Sequence, residues 1–265
     1  VNFKSTKLAF FSPTGTSSAI ASAVAKGIGI KKIEIFDATR PEIRKKPLKT
    51  AADELLVVAV PVYAGRLPGV LDDWLELIKA EKSPAVCITL YGNRDFDDAL
   101  LELKEKIKEN GALPVACAAF IGEHSFSTAE FPVAVNRPDE SDLAKAAEFG
   151  NQIKEKLESF DPSSCSDISV PGNTPYKERP PKAPLDFIAV NDDCIKCGVC
   201  ADICPVEAIS KENPSETDIN KCIRCCACIK ECPENVRSIK EGPILDISKR
   251  LNTNLKERKE PVFFF

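Results

Sequence analysis

The sequence predicts an α/β chain in two parts: a doubly wound, five-stranded parallel sheet of order 2-1-3-4-5, then a small α+β module rich in cysteine. Three observations predict this. Apolar runs of strand length alternate with amphipathic helical stretches up to residue 160, the pattern of a parallel sheet covered on both faces. Periodicity then stops over 161–186, which carries Pro162, Pro171, Pro175, Pro180, Pro181 and Pro184. Beyond it, Cys194-Ile-Lys-Cys197-Gly-Val-Cys200-Ala-Asp-Ile-Cys204-Pro205 recurs in spacing twenty-eight residues on as Cys222-Ile-Arg-Cys225-Cys-Ala-Cys228-Ile-Lys-Glu-Cys232-Pro233. The expected boundaries are a sheet domain over 1–160, a semi-rigid linker over 161–186, a cysteine module over 187–240 and a tail over 241–265.

Each element has its own warrant. Residues 7–11 form a short apolar strand, and 18–28 a small-residue helix with Ile20, Val24 and Ile28 on one face. Residues 32–36 alternate as a second strand, while 55–60 and 85–90 are continuous apolar runs, as strands buried on both faces should be. A helix is expected over 71–78, and another over 99–108 with Leu100, Leu103 and Ile107 inward and Asn110-Gly111 to close it. A fifth strand over 115–121 and a closing helix over 141–160 complete the unit. In a sheet of this order, ligands bind beyond the carboxyl ends of the strands, at the switch between strands 1 and 3.

The loops at that end are unusual. Ser12-Pro-Thr14-Gly15-Thr16-Ser17 opens the first helix, where free amides and the helix dipole favour a phosphate and the hydroxyls add donors. It contains neither a Walker A loop nor a G-x-G-x-x-G fingerprint, and a plain Ser/Thr cap is the alternative. Pro61-Val62-Tyr63-Ala64-Gly65-Arg66 follows the third strand, and Tyr91-Gly92-Asn93-Arg94-Asp95-Phe96-Asp97 the fourth. Glycines there admit a flat ring close to the backbone, and aromatic or apolar side chains cover its faces. Asn93 and Asp97 are alternatively caps of the next helix, and Arg66 and Arg94 either offset a ligand's charge or sit in solvent. The loop over 123–139 is too long for a simple connection and holds the chain's only histidine, His124, a candidate for proton supply or a plain hydrogen-bonding residue.

The repeated C-x2-C-x2-C-x3-C-P run is the spacing by which two cubane iron–sulfur clusters are held, the fourth cysteine of each run serving the other cluster. That assigns Cys194, Cys197, Cys200 and Cys232 to one [4Fe–4S] cluster and Cys222, Cys225, Cys228 and Cys204 to the second. Zinc ribbons use cysteine pairs and give no reason for a third cysteine at x2 or for Cys-Pro twice. Ile195, Val199, Ile203, Val206, Ile209, Ile219, Ile223 and Ile229 are available to keep water from the clusters. Cys226 reads as a bystander, Cys87 and Cys117 as core, and Cys165 as a linker residue without a partner.

A net charge of −4 gives no footprint for nucleic acid or anionic lipid, and Arg44-Lys45-Lys46 reads as a solvated loop. No segment has the apolar length of a membrane span and none resembles a signal peptide, so a reducing cytoplasm is the expected compartment. The tail ends Pro261-Val-Phe-Phe-Phe265, and three phenylalanines are expected to pack on the body or on a second copy in a homodimer.

Together the two parts resemble the flavodoxin–ferredoxin fusion proteins of anaerobes, over roughly residues 5–240. The likeness rests on the eight spaced cysteines and on residues 12–17, 61–68 and 91–98. Residues 12–17 are similar to the flavodoxin S/T-x-T-G-x-S/T loop, whose ligand is the FMN phosphate. The chain departs from typical flavodoxins in having Tyr63, not Trp, in the loop after strand 3. The resemblance implies a flavodoxin-like FMN domain joined to a bacterial-type 2[4Fe–4S] ferredoxin domain. It further implies an electron-transfer flavoprotein that exchanges electrons with a ferredoxin-like redox partner, the alternative being an FMN-dependent reductase of a small molecule.

Overall fold

The computed structural model describes residues 3–181 and 183–265. In chain order the front part contains β1 (Ser5–Phe10), α1 (Thr16–Ile28), β2 (Ile33–Asp37), α2 (Pro41–Arg44), β3 (Leu48–Thr50) and β4 (Glu54–Pro61). A 3-10 turn (Gly69–Leu71) leads to α3 (Asp72–Glu76), β5 (Ile78–Ala80), β6 (Pro84–Tyr91), α4 (Ala99–Glu109), β7 (Leu113–Ile121) and α5 (Glu140–Glu158). The remainder contains β8 (Ile188–Val190), α6 (Val199–Asp202), α7 (Ala227–Lys230), β9 (Arg237–Ile239), α8 (Pro243–Asn254) and β10 (Val262–Phe264).

The main sheet runs β10-β7-β6-β4-β1-β2. Its five parallel strands keep the order 2-1-3-4-5, which is the flavodoxin-like arrangement. Alternation along β4 explains the two-sided core. Leu56, Val58 and Val60 pack with Trp74, Leu100 and Ile107 on one face, while Leu55, Val57 and Ala59 pack with Ile20, Val24 and Phe149 on the other. Both layers are covered, so the strand ends alone are free to carry loops.

Three features differ from the sequence expectation, while the terminal aromatics take one of their two expected places. The sheet has a sixth strand, because the tail returns as β10 and pairs antiparallel with β7, Phe263 opposite Ala118. Phe263 stacks on Phe149 at 4.7 Å and meets Phe120 at 5.5 Å, so the terminal aromatics pack on their own chain. The stretch expected as a helix over 71–78 yields only the short α3, and Ile78 instead starts β5, which pairs with β3 in a two-stranded parallel ribbon. Finally, the tail forms α8, a helix absent from the expected elements, although Pro243 at its first turn is a helix-start signal.

Residues 161–186 contain no helix or strand among those described, yet they are pinned to the sheet unit. Ile168 is buried in the core, and Lys104 Nζ donates to Asp167 Oδ2 at 3.0 Å and to Ile168 O at 2.8 Å. Asp98 accepts from the Asn173 and Lys177 amides at 2.8 and 2.6 Å. Arg66 and Arg179 both donate to Glu102, and Arg66 lies 4.8 Å from the Tyr176 ring centre. The linker is a clamp and not a free tether.

Candidate redox site

The cysteine module is a twofold repeat in backbone as well as in sequence. β8 and β9 pair antiparallel at its base. Positive φ values recur at equivalent places: Lys196 (55°) and Arg224 (59°), Gly198 (81°) and Cys226 (59°), Glu207 (50°) and Asn235 (54°). Left-handed residues turn the chain sharply between the cysteines, so the sulfurs face a common centre. The turns at Gly198 and Cys226 lead directly into the single-turn helices α6 and α7, which carry Cys200 and Cys228.

The result is two small cavities, both partly open to solvent. Cys194, Cys197, Cys200 and Cys232 line the first, with Ile195, Pro214 and Val236. Cys204, Cys222, Cys225 and Cys228 line the second, with Ile188, Ile209 and Ile223. These are the two quartets the sequence spacing specifies, each completed by the fourth cysteine of the other run. Among the described residues no three Cys, His, Asp or Glu side chains converge tightly enough for a single metal ion. The C-x2-C-x2-C-x3-C-P spacing of the lining cysteines suits a cubane better than a tetrahedral zinc. Backbone amides already point at the sulfurs, Ala208 N to Cys204 Sγ at 3.2 Å and Arg224 N to Cys222 Sγ at 3.4 Å, the contacts that tune a cluster's potential.

The quartets differ in exposure. Cys197 is exposed and Ile195 beside it is 65% exposed, whereas Cys225 and Cys228 are both buried. Burial pushes the Cys225 thiol up to about 12 and the Cys228 thiol up to about 11, so strong anion-stabilising partners are needed to hold them as thiolates.

The second quartet lies against the carboxyl-end loops of the sheet. The Tyr63 hydroxyl is pushed well above its ordinary pKa by burial, and then by the neighbouring Cys225, Cys226 and Cys222. Arg44 donates to Pro205 O at 2.7 Å, next to Cys204, while also donating to Ala38 O and Thr39 O. Its guanidinium sits 5.6 Å from the Phe11 ring centre, and burial lowers its pKa. Arg44 is therefore a bridge between the two parts and not a solvated loop residue. Lys230 of α7 pairs with Glu123 at the end of β7, and Phe126 meets Phe187 at 6.5 Å.

At the loop over 12–17, Gly15 takes φ 77° and begins α1 without a side-chain cap. Ser12 Oγ accepts from Ser18 N at 3.0 Å, and Ser18 Oγ donates to Gly15 O. Thr14 and Thr16 are half-buried. Ser17 Oγ is buried with no hydrogen-bond partner among the described residues. A buried orphan hydroxyl at the amide end of a 13-residue helix fits a phosphate oxygen. A plain cap leaves it unexplained.

The ring loops behave less simply. Tyr63 and Arg66 exchange backbone hydrogen bonds around Ala64 (φ 54°) and Gly65 (φ 85°), a tight turn following Pro61 and Val62. A Cβ on Gly65 would lie 2.0 Å from Asp97 Oδ2, and one on Gly92 2.3 Å from the His124 ring. Both glycines thus admit protein neighbours, Asp97 and His124, instead of a ligand ring. Asn93 is buried and its amide donates to Glu257 O at 2.8 Å, so it holds the tail. Asp97 accepts from Arg94 and Lys177, and the cap position of α4 is Asp98. Neither Asn93 nor Asp97 caps that helix. Arg66 is neither in solvent nor free to offset a ligand, since Glu102 holds it at 2.8 Å. Tyr91 and Phe96 pack on each other at 5.5 Å.

His124 Nδ1 accepts from Phe126 N at 3.0 Å, which leaves the proton on Nε2. Burial, then Lys230 and Arg94, lower its pKa to about 4. It is a neutral donor near pH 7 and unsuited to supplying protons.

The sequence reading missed Arg237, Arg44, Asp98 and Glu102 because each acts across parts of the chain that no local pattern connects. Arg237 did leave a signal, a charge inside an otherwise apolar-flanked short strand.

The strand order is that of a flavodoxin-like sheet, and the cysteine module carries the ligand spacing of an iron–sulfur protein. Residues 188–210 match the family described as a 4Fe–4S binding domain. No curated protein sequence matches the chain. Among solved structures, the chain is similar to a flavodoxin from the domain Archaea, at 15% identity and TM-score 0.39, over 58% of this chain and 99% of that one. It is similar to the flavodoxin of Streptococcus pneumonia TIGR4, at 16% identity and TM-score 0.40, over 57% and 99%. It is also similar to rubredoxin oxygen:oxidoreductase from Desulfovibrio gigas, at 12% identity and TM-score 0.41, over 59% of this chain but 36% of that one. No helix of the described residues is long and apolar enough to cross a membrane.

Proposed function

We propose that the chain is an electron-transfer flavoprotein that holds FMN at the carboxyl edge of its sheet and two [4Fe–4S] clusters in its cysteine quartets, and exchanges electrons with a redox protein. The carrying observation is the packing of Ile223, between Cys222 and Cys225 of the second quartet, against the sheet core, with Tyr63 in the loop after β4 close enough to Cys225, Cys226 and Cys222 to feel their charge. A flavodoxin-type ring site and a cluster site then share one wall.

The Ser12, Thr14, Thr16 and Ser17 hydroxyls and the first amides of α1 are the phosphate-holding set, with Ser17 Oγ satisfied by the ligand. Tyr63, Tyr91 and Phe96 are the aromatic groups available to the ring. FMN supplies one- or two-electron chemistry beside clusters that accept one electron at a time. The protein's part is placement: the linker and tail clamps hold the quartets against the sheet, and exposed Cys197 makes the first quartet the one a partner reaches. A neutral His124 with Nδ1 engaged argues for this carrier over a reductase with a histidine acid.

The test is anaerobic reconstitution followed by metal and flavin analysis. About eight irons and one FMN per chain are expected, and Ser17→Ala should weaken FMN retention while leaving iron unchanged. A fully iron-loaded protein that never retains FMN overturns the flavin part, and one that takes up zinc alone overturns the cluster part.

A further inference from the structure

Arg237, in β9, is only 3% exposed. A buried guanidinium is costly to desolvate unless an anion or a full set of acceptors compensates it. Its Nη1 donates to Pro214 O at 2.7 Å and its Nη2 to Thr217 Oγ1 at 2.9 Å. Nη1 also points at Cys200 Sγ, 3.7 Å away, and Nε has no partner. None of its hydrogen bonds among the described residues goes to a carboxylate. Arg237 and Cys200 both line the first cavity, while Thr217, which Nη2 holds, lines the second beside Cys228, whose thiol the guanidinium draws down against the upward push of burial. A protonated thiol is a weak acceptor and no counterion. Neutral cysteines therefore leave this cation uncompensated, whereas anionic sulfur on both sides satisfies it.

We infer that Arg237 is a shared counter-cation for both cysteine quartets, a positioning residue that raises the reduction potential of both clusters together. The inference rests on the two-cluster reading above. Each cluster takes up one electron from an external reductant, with no bond made or broken and no proton moved, so its net charge becomes more negative by one. A fixed positive charge beside a sulfur of each quartet favours the reduced form of each. Because one guanidinium serves both, its loss is felt at both sites and in the same direction.

The experiment is an anaerobic titration with dithionite, followed by EPR, of the wild-type chain, Arg237→Gln and Arg237→Lys. Wild-type iron content is measured first, so a chain without about eight irons defeats the underlying reading and not this inference. In Arg237→Gln both one-electron equilibria should shift at least tenfold toward the oxidised form, about 59 mV each, with the lysine variant in between. Two unchanged potentials, or a shift at one cluster alone, overturn the inference. Should the glutamine variant fail to bind iron, the unmodified chain grown with side-chain 15N-arginine decides. Reduced clusters should then show a 15N coupling in pulsed EPR, and its absence overturns the inference equally.

Discussion

Cys226 holds a left-handed backbone, φ 59°, at the position where Gly198 stands in the other half of the repeat with φ 81°. Glycine takes this conformation freely, whereas a residue with a Cβ loses about 1 kcal/mol there. Cys226 is nonetheless 3% exposed and lines the second cavity, so its side chain returns some of that loss as burial. Cys226→Gly is expected to keep the full complement of about eight irons and to change the unfolding free energy by no more than about 1 kcal/mol. Cys225→Ser, one residue away, should lose a cluster. Iron analysis and thermal unfolding of the two variants check this, and iron loss in the Cys226 variant would make that thiol a ligand.

The linker clamp predicts a stability effect far from any cysteine. Glu102 is buried and accepts from Arg66 at two atoms, each at 2.8 Å, from Leu67 N at 2.9 Å and from Arg179 at 2.9 Å. Glu102→Ala leaves the mostly buried Arg66 guanidinium without its carboxylate, a change that costs about 3 kcal/mol. Residues 161–186 should also become the first site of proteolysis. Denaturant midpoints and a timed digest measure both effects, and a protected linker in the variant would refute the clamp.

This clamp also shows where the sequence stopped being informative. The parallel strands could be read because 55–60 and 85–90 are apolar on both faces, and the quartets because ligand spacing is a local property. Nothing local to Arg66, Asp98 or Asn93 distinguishes a ring-binding loop from one that grips a linker or a tail. Those roles depend on partners 75 to 166 positions away. The tail strand was hidden for the same reason, since Val262–Phe264 is too short for a periodicity signal and forms only against β7.

His124 predicts a pH dependence with a definite sign. Its pKa is about 4 in the fold against 6.5 ordinarily, so between those values the unfolded chain binds the extra proton. Stability is complete above pH 6.5 and declines as pH falls toward 4, by up to about 3 kcal/mol. Asn at this position keeps an acceptor for Phe126 N but does not titrate. Urea midpoints from pH 7.5 to 5, taken as the difference between wild type and His124→Asn, should show the decline in the wild type alone. A difference that does not vary with pH would mean that His124 is solvated and free to protonate.

The last prediction concerns the edge that β10 covers. Val262, Phe263 and Phe264 pair with Ala119, Ala118 and Cys117 of β7, a strand whose side chains are almost wholly buried. Removing 261–265 bares an apolar strand edge, the kind that recruits a second chain, and also removes the stacking of Phe263 on Phe149 at 4.7 Å. Truncation after Glu260 should shift the protein to larger species than the full chain forms in light scattering. Phe263→Ala keeps the backbone strand and loses only the ring, so it should lower stability by about 3 kcal/mol without changing the oligomeric state. That contrast separates the two jobs of the strand, because edge protection resides in the backbone and stability in the aromatic cluster. A truncated chain with the same mass in solution and an unchanged midpoint would leave β10 without either role.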